Sequence, residues 1–358
     1  MVYLDYAATC PVVKYPQQLY CDVLGEGYFL NPNANYAYKE KRLLSEAENR
    51  VKKAIGAKGG KVVFGGTSSQ LIENLMNRAK RNTVICSKYE HNSFYRYAYD
   101  SVKNINELSE NIANMPENYG KMIAMWQGVN NITGEIFPIT EIGNTCHKYD
   151  AFYICDMTAM IGKVPIPANI DQWCDCAVWS GHKLGTELGI GCCWVSDRLD
   201  KWLNGFKLHG TPNLAGALAL TQAVEDACDK EQYIKNINNW FYLTSKMLGL
   251  LSKERIEFDV KVLGKYPPTD STPAINAIRL PGFNADALQQ HLASKQIYVS
   301  IGGSTCAERH DYRVLNVYGL SNGEASEVIR VSFGEDSSVE GVEALVEGIK
   351  NFKELYVK

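Results

Sequence analysis

Residues 175–195, "DCAVWSGHKLGTELGIGCCWV", set two apolar runs on either side of a polar turn. Short apolar runs bounded by turn residues suit strands buried on both faces. The turn carries His182 and Lys183 side by side. On its own a His-Lys pair between strands reads as a solvated turn, so its meaning depends on the rest of the chain.

Working outward, the same pattern repeats. "KVVFGG" (61–66), "NTVICSK" (82–88), "KMIAMWQGV" (121–129) and "AFYICDM" (151–157) read as strands. "SSQLIENLMNRAKR" (68–81) and "ITEIGNTCHKYD" (139–150) read as helices between them. Apolar strands alternating with helices predict an α/β fold with a parallel sheet covered on both faces. Ligands of such sheets bind beyond the carboxyl ends of the strands. The long helical stretch 213–253 leads to a smaller α+β unit with strands in "INAIRL", "QIYVSIGG" and "VIRVSFG". An amphipathic helix over 338–358 ends the chain, with Ser338 as its cap. The expected division is a large domain, 14–229, and a small one made of 1–13 and 230–358.

The bulk composition narrows the classes. A chain of 358 residues with 46% hydrophobic and 22% charged residues is ordinary for a soluble two-domain protein. A net charge of -3 without blocks of like charge argues against a nucleic-acid arm or a membrane patch. The start "MVYLDYAATCPV" lacks the features of a signal peptide, and no apolar stretch is long enough to span a bilayer. The expected location is cytoplasmic. The 11 cysteines are odd in number and scattered, so most of them read as reduced structural residues rather than a disulfide framework or a metal site, with Cys306 set apart.

Several polar residues fall at strand ends. "GGTSSQ" (65–70) joins a strand to a helix and reads either as an anion site at a helix N-terminus or as a plain cap by Ser68 or Ser69. Asp156 ends an apolar strand, where it either meets a cationic partner or caps the next helix. His91 in "YEHNS" lies beyond another strand end, placed to stack on a ring or simply hydrogen-bonded in the fold. Ser180, His182 and Lys183 close a neighbouring strand. An anion cradle, a buried carboxylate, a His and a Lys at adjacent strand ends suit pyridoxal 5'-phosphate. The Lys would hold its aldehyde as a Schiff base, and the Asp would keep its ring nitrogen protonated.

These segments, taken together, resemble the cysteine desulfurases of the class V aminotransferase family, which are pyridoxal phosphate enzymes of fold type I. "YLDYAATCPV", "SKYEHNS", "VNNITGEIFPI", "CDMTAMIGKVPI", "SGHKLG", "HGTPN", "GGSTC", "VLNVYGL" and "VIRVSFG" follow in the family order. The resemblance implies a mostly parallel seven-stranded sheet in the large domain and a homodimer. It makes Lys183 the Schiff-base residue, Asp156 the partner of the pyridinium nitrogen and His91 the ring-stacking residue and a proton shuttle. Ser69, Ser180 and His182 would hold the phosphate, with Thr211 doing so from the other subunit. Asn131 would lie near cofactor and substrate, and Arg330 would grip the substrate carboxylate at two points. Cys306 matches the nucleophile that takes sulfur from L-cysteine as a persulfide, leaving L-alanine. Arg309 and His310 stand close enough in sequence to lower its pKa.

Departures from the family pattern bear on the reaction. Ala159 stands where the family has a Gln that donates to the cofactor. Leu208 and His209 replace an Arg-Ser pair, Gln70 replaces a Glu, and the loop after Cys306 is short. The expected function is therefore desulfurase-like, with possible transfer to a sulfur-acceptor protein. The alternatives are another reaction of the same fold, such as β-elimination, selenocysteine cleavage or transamination on a different amino acid, or a degenerate non-catalytic homologue.

Overall fold

The computed structural model describes residues 1–25, 30–79, 83–116, 120–259, 270–302 and 311–357. Two compact units divide them: 10–128 with 138–230, and 1–9 with 129–137 and 231–358.

The larger unit is built on a seven-stranded sheet of β2 (Lys61–Gly65), β3 (Thr83–Ser87), β4 (Asp100–Val102), β5 (Met122–Gln127), β6 (Phe152–Asp156), β7 (Cys176–Ser180) and β8 (Gly191–Val195). The spatial order is β2-β8-β7-β6-β5-β3-β4. The strands β4, β3, β5, β6 and β7 pair in parallel, and β8 runs antiparallel to both β7 and β2. Every residue of β3, β5, β6, β7 and β8 is buried. Coverage on both faces explains why these strands read as unbroken apolar runs rather than alternating ones. The helix Ser68–Arg78 lays Leu71, Ile72, Leu75 and Met76 into this core. Its cap is Thr67, whose Oγ1 accepts from the Gln70 amide at 3.1 Å, rather than Ser68 or Ser69.

The other unit contains β1 (Val2–Tyr3), β9 (Ile275–Arg279), β10 (Ile297–Tyr298), β11 (Ser300–Ile301) and β12 (Val328–Ser332). β12 is the centre of a three-stranded antiparallel sheet, and β1 pairs in parallel with β10. The terminal helix Val339–Tyr356 is capped by Ser338, as the sequence predicts.

Two boundaries differ from the expected ones. Residues 10–13 group with the larger unit, because the Cys10 amide donates to the His182 carbonyl and the Val13 amide to the Gly185 carbonyl, both at 2.8 Å. Residues 129–137 group with the other unit. There Ile132 packs with Ala277 and Val314, and Tyr318 donates a hydrogen bond to Glu135. The helical stretch 213–253 is two helices, Leu214–Ala227 and Lys230–Lys253, and the chain changes unit at the break.

No disulfide forms among the described cysteines, and seven of them are buried. Burial pushes the Cys146 and Cys155 thiols up, so they remain protonated core residues. No helix among the described residues is long and apolar enough to cross a membrane.

Candidate active site

Because β3, β5, β6 and β7 are parallel, their carboxyl ends open on one edge of the sheet. Gln127 pairs with Asp156, and Ser180, Gly191 and Gly65 form one row across β7, β8 and β2. Gly191 lets the start of the Ser68–Arg78 helix lie against that row. A Cβ there would come within 3.1 Å of the Ser68 amide nitrogen and 3.0 Å of the Trp179 carbonyl. The Ser68 amide donates to Ser180 Oγ at 3.1 Å, and Ser180 Oγ donates to Ser68 Oγ at 2.8 Å. First-turn amides and two hydroxyls converge here, which is an arrangement suited to an anion. Ser69 lies in the same turn, but Ser68, not singled out from the sequence as a ligand, is the residue bonded to Ser180.

His182 and Lys183 follow directly in a 3-10 turn, Gly181–Lys183. Burial and then the neighbouring Lys183 charge push the His182 imidazole down to about 4, so the ring is neutral at neutral pH.

Asp156 is buried, and its Oδ1 accepts from the Thr158 amide at 2.8 Å. Burial raises its pKa, opposed by hydrogen bonding from Thr158 and by the charges of His91 and Lys183. The carboxylate expected to meet a cation therefore has the expected Lys and His as its electrostatic neighbours. His91 precedes the short helix Asn92–Tyr95 as its cap. Its Nδ1 accepts from the Ser93 amide at 3.2 Å and lies 2.8 Å from Ser93 Oγ. An amide can only donate, so the neutral ring carries its proton on Nε2. The segment before it is tied to the end of β5: the Gln127 backbone amide donates to the Glu90 carboxylate and the Gln127 side chain to the Tyr89 carbonyl.

The remaining expected residues are placed as follows. Ala159 sits in the turn after β6 and its methyl group offers no hydrogen bond. Thr211 is exposed, next to Gly210, whose carbonyl accepts from Asn33. Asn131 and Arg330 belong to the other unit, where Arg330 Nη1 donates to the Asn131 carbonyl at 2.9 Å. Arg330 is also paired with Asp5, through Nη2 at 2.9 Å. Cys306, Arg309 and His310 lie outside the described residues.

Glu90, Gln127, Ser93 and Thr158 escaped the sequence reading although each is close in sequence to a flagged residue or ends a predicted strand. Asp5 carried no local signal, since its partner is 325 positions away.

The chain can now be set beside known proteins. It is 26% identical over 381 residues to the cysteine desulfurase IscS of Buchnera aphidicola subsp. Schizaphis graminum, covering 97% of this chain and 91% of that protein. It is 25% identical over 377 residues to the putative cysteine desulfurase NifS of Bacillus subtilis, covering 97% of this chain and 93% of that protein. Its fold matches that of a NifS-like protein from Rickettsia africae with a TM-score of 0.84 at 22% identity, covering 99% of each chain. The apo cysteine desulfurase from Thermococcus onnurineus matches with a TM-score of 0.78 at 17% identity, covering 99% of this chain and 94% of that one. A model of the aminotransferase class-V family matches residues 2–345, so nearly the whole length, with the strand-end cluster of Asp156, Lys183 and His91, belongs to that family.

Proposed function

We propose that the chain is a pyridoxal phosphate-dependent cysteine desulfurase, which converts L-cysteine to L-alanine and takes the sulfur onto Cys306 as a persulfide. The observation that carries this reading is the buried Asp156 carboxylate with Lys183 and His91 as its electrostatic neighbours. A carboxylate so placed fits a cationic ring nitrogen, and the Ser68–Ser180 cradle fits a phosphate.

When bound, pyridoxal phosphate supplies an electron sink for the pair left at the substrate Cα. Lys183 would hold the cofactor aldehyde through its amine. Asp156 keeps a proton on the ring nitrogen. His91 would stack on the ring and shuttle protons, with Nδ1 taken up by the Ser93 amide and its proton on Nε2. Ser68, Ser69, Ser180 and the neutral His182 hold the phosphate, joined by Thr211 from the second subunit of a homodimer. By the family resemblance, Asn131 would hold cofactor and substrate, and Arg330 would receive the substrate carboxylate. The Cys306 thiolate attacks the substrate sulfur, forming the S–S bond as the C–S bond breaks. The electrons of that bond return to the substrate carbon skeleton, which takes up protons and leaves as alanine. The protein is expected to act in the cytoplasm and to pass its persulfide sulfur to an acceptor.

Alanine and sulfide assayed side by side in the presence of a thiol reductant test the reading. Cys306→Ala is expected to lose sulfur release from L-cysteine by at least about a hundredfold, the scale of losing a covalent nucleophile. It should keep the visible absorbance of the bound cofactor, whereas Lys183→Ala should lose that band. Undiminished turnover in Cys306→Ala would favour β-elimination or transamination by the same fold.

A further inference from the structure

Arg330 is 4% exposed, and its fork is already engaged within its own unit. Nη1 donates to the Asn131 carbonyl, and Nη2 is shared between Asp5 Oδ1 and Ser300 Oγ, each at 2.9 Å. Ser300 Oγ in turn donates to the Asp5 carboxylate at 2.8 Å. Nε is buried and has no acceptor among the described residues. The backbone fixes Asp5 in this position: it bridges to Ser332, and the Ala7 amide donates to Ser332 Oγ at 2.9 Å.

Buried donors rarely go unpaired. Nε–H is therefore the unpaired donor of this guanidinium among the described residues, and a carboxylate taken up there would find the positive charge already compensated by Asp5. Two carboxylates on one guanidinium repel each other, more strongly where burial lowers the local dielectric.

We propose that Asp5 is a positioning residue that sets affinity for the substrate carboxylate: it holds Arg330 through Nη2, leaves the Nε side for substrate, and weakens the hold by charge compensation. The inference rests on the preceding reading of Arg330 as the carboxylate-binding residue. Its consequence is a site that releases amino acids readily, because part of the attraction is spent on an internal carboxylate.

Asp5→Asn keeps the size and the Oδ1 acceptor but removes the charge, and Asp5→Ser repeats the test should the Asn variant not fold. In the holoenzyme, KM for L-cysteine is expected to fall roughly tenfold, the scale of removing a nearby like charge. The change should appear in KM rather than kcat. The dissociation constant of the product L-alanine, measured by calorimetry, should fall in parallel, and Asp5→Glu should stay near wild type. An unchanged or raised KM and alanine dissociation constant in Asp5→Asn would overturn the proposal. Arg330→Lys separates the two readings. If it leaves KM and alanine binding unchanged, the carboxylate assignment falls and the proposal with it; if it weakens both while Asp5→Asn does nothing, only the proposal falls.

Discussion

His182, proposed above to hold the phosphate, is also a source of pH sensitivity. Its folded-state pKa, pushed down to about 4, lies below the ordinary 6.5. Above about 6.5 the ring is neutral in both folded and unfolded chains. As the pH falls from there towards 4, the unfolded chain binds a proton that the folded one does not, so the native state loses stability. Below the folded pKa the loss stops growing. Thermal denaturation of the cofactor-free protein should show this decline, and His182→Gln should flatten it within that window. An identical decline in the variant would show that other groups carry it. Asp156 is the opposite kind of residue: burial raises its pKa, and His91, Lys183 and Thr158 draw it back towards ionisation. Both were legible as polar interruptions at the ends of apolar runs. The role of Ser93 was not, because a hydroxyl two residues beyond a His acquires meaning only when the turn brings it to Nδ1 at 2.8 Å.

Strands and their ends were the most legible elements, since burial on both faces writes itself into a short local run. The far edge of the same sheet was not legible. Asp175, just before β7, is 1% exposed and accepts from Arg198 Nη1 at 3.0 Å and from the Tyr153 amide at 2.9 Å. His147 Nε2 lies 2.9 Å from it, and Ser196 Oγ donates to it at 3.2 Å. One carboxylate thus ties the starts of β6 and β7 to the end of β8. Removing one partner of such a network leaves buried donors facing a void. Asp175→Ala should therefore lose about 3–5 kcal/mol in denaturant unfolding, with cofactor absorbance retained under native conditions. A loss under about 1 kcal/mol would show that water replaces the carboxylate.

At the scale of the whole molecule, the larger unit exposes several large apolar side chains. Tyr38 is 78% exposed, Leu188 76% and Tyr36 68%, and Thr211 is exposed as well. The homodimer proposed above, in which Thr211 would reach the phosphate of the second subunit, predicts that these groups are covered on association. Sedimentation velocity should give a species of twice 40.0 kDa at micromolar concentration. A monomer retaining full cofactor affinity would remove Thr211 from the phosphate shell. The sequence by itself determined the alternation of buried strands and helices, the placing of Asp156, Lys183 and His91 at or just beyond strand ends, and the family order of the motifs. All of these depend on neighbours within a few residues. Only the tertiary structure decided that Ser68 pairs with Ser180 across 112 positions, that Asp5 compensates Arg330 across 325, and that residues 129–137 leave the larger unit. Contacts of that span depend on sheet register and packing, and no local pattern of residues encodes them.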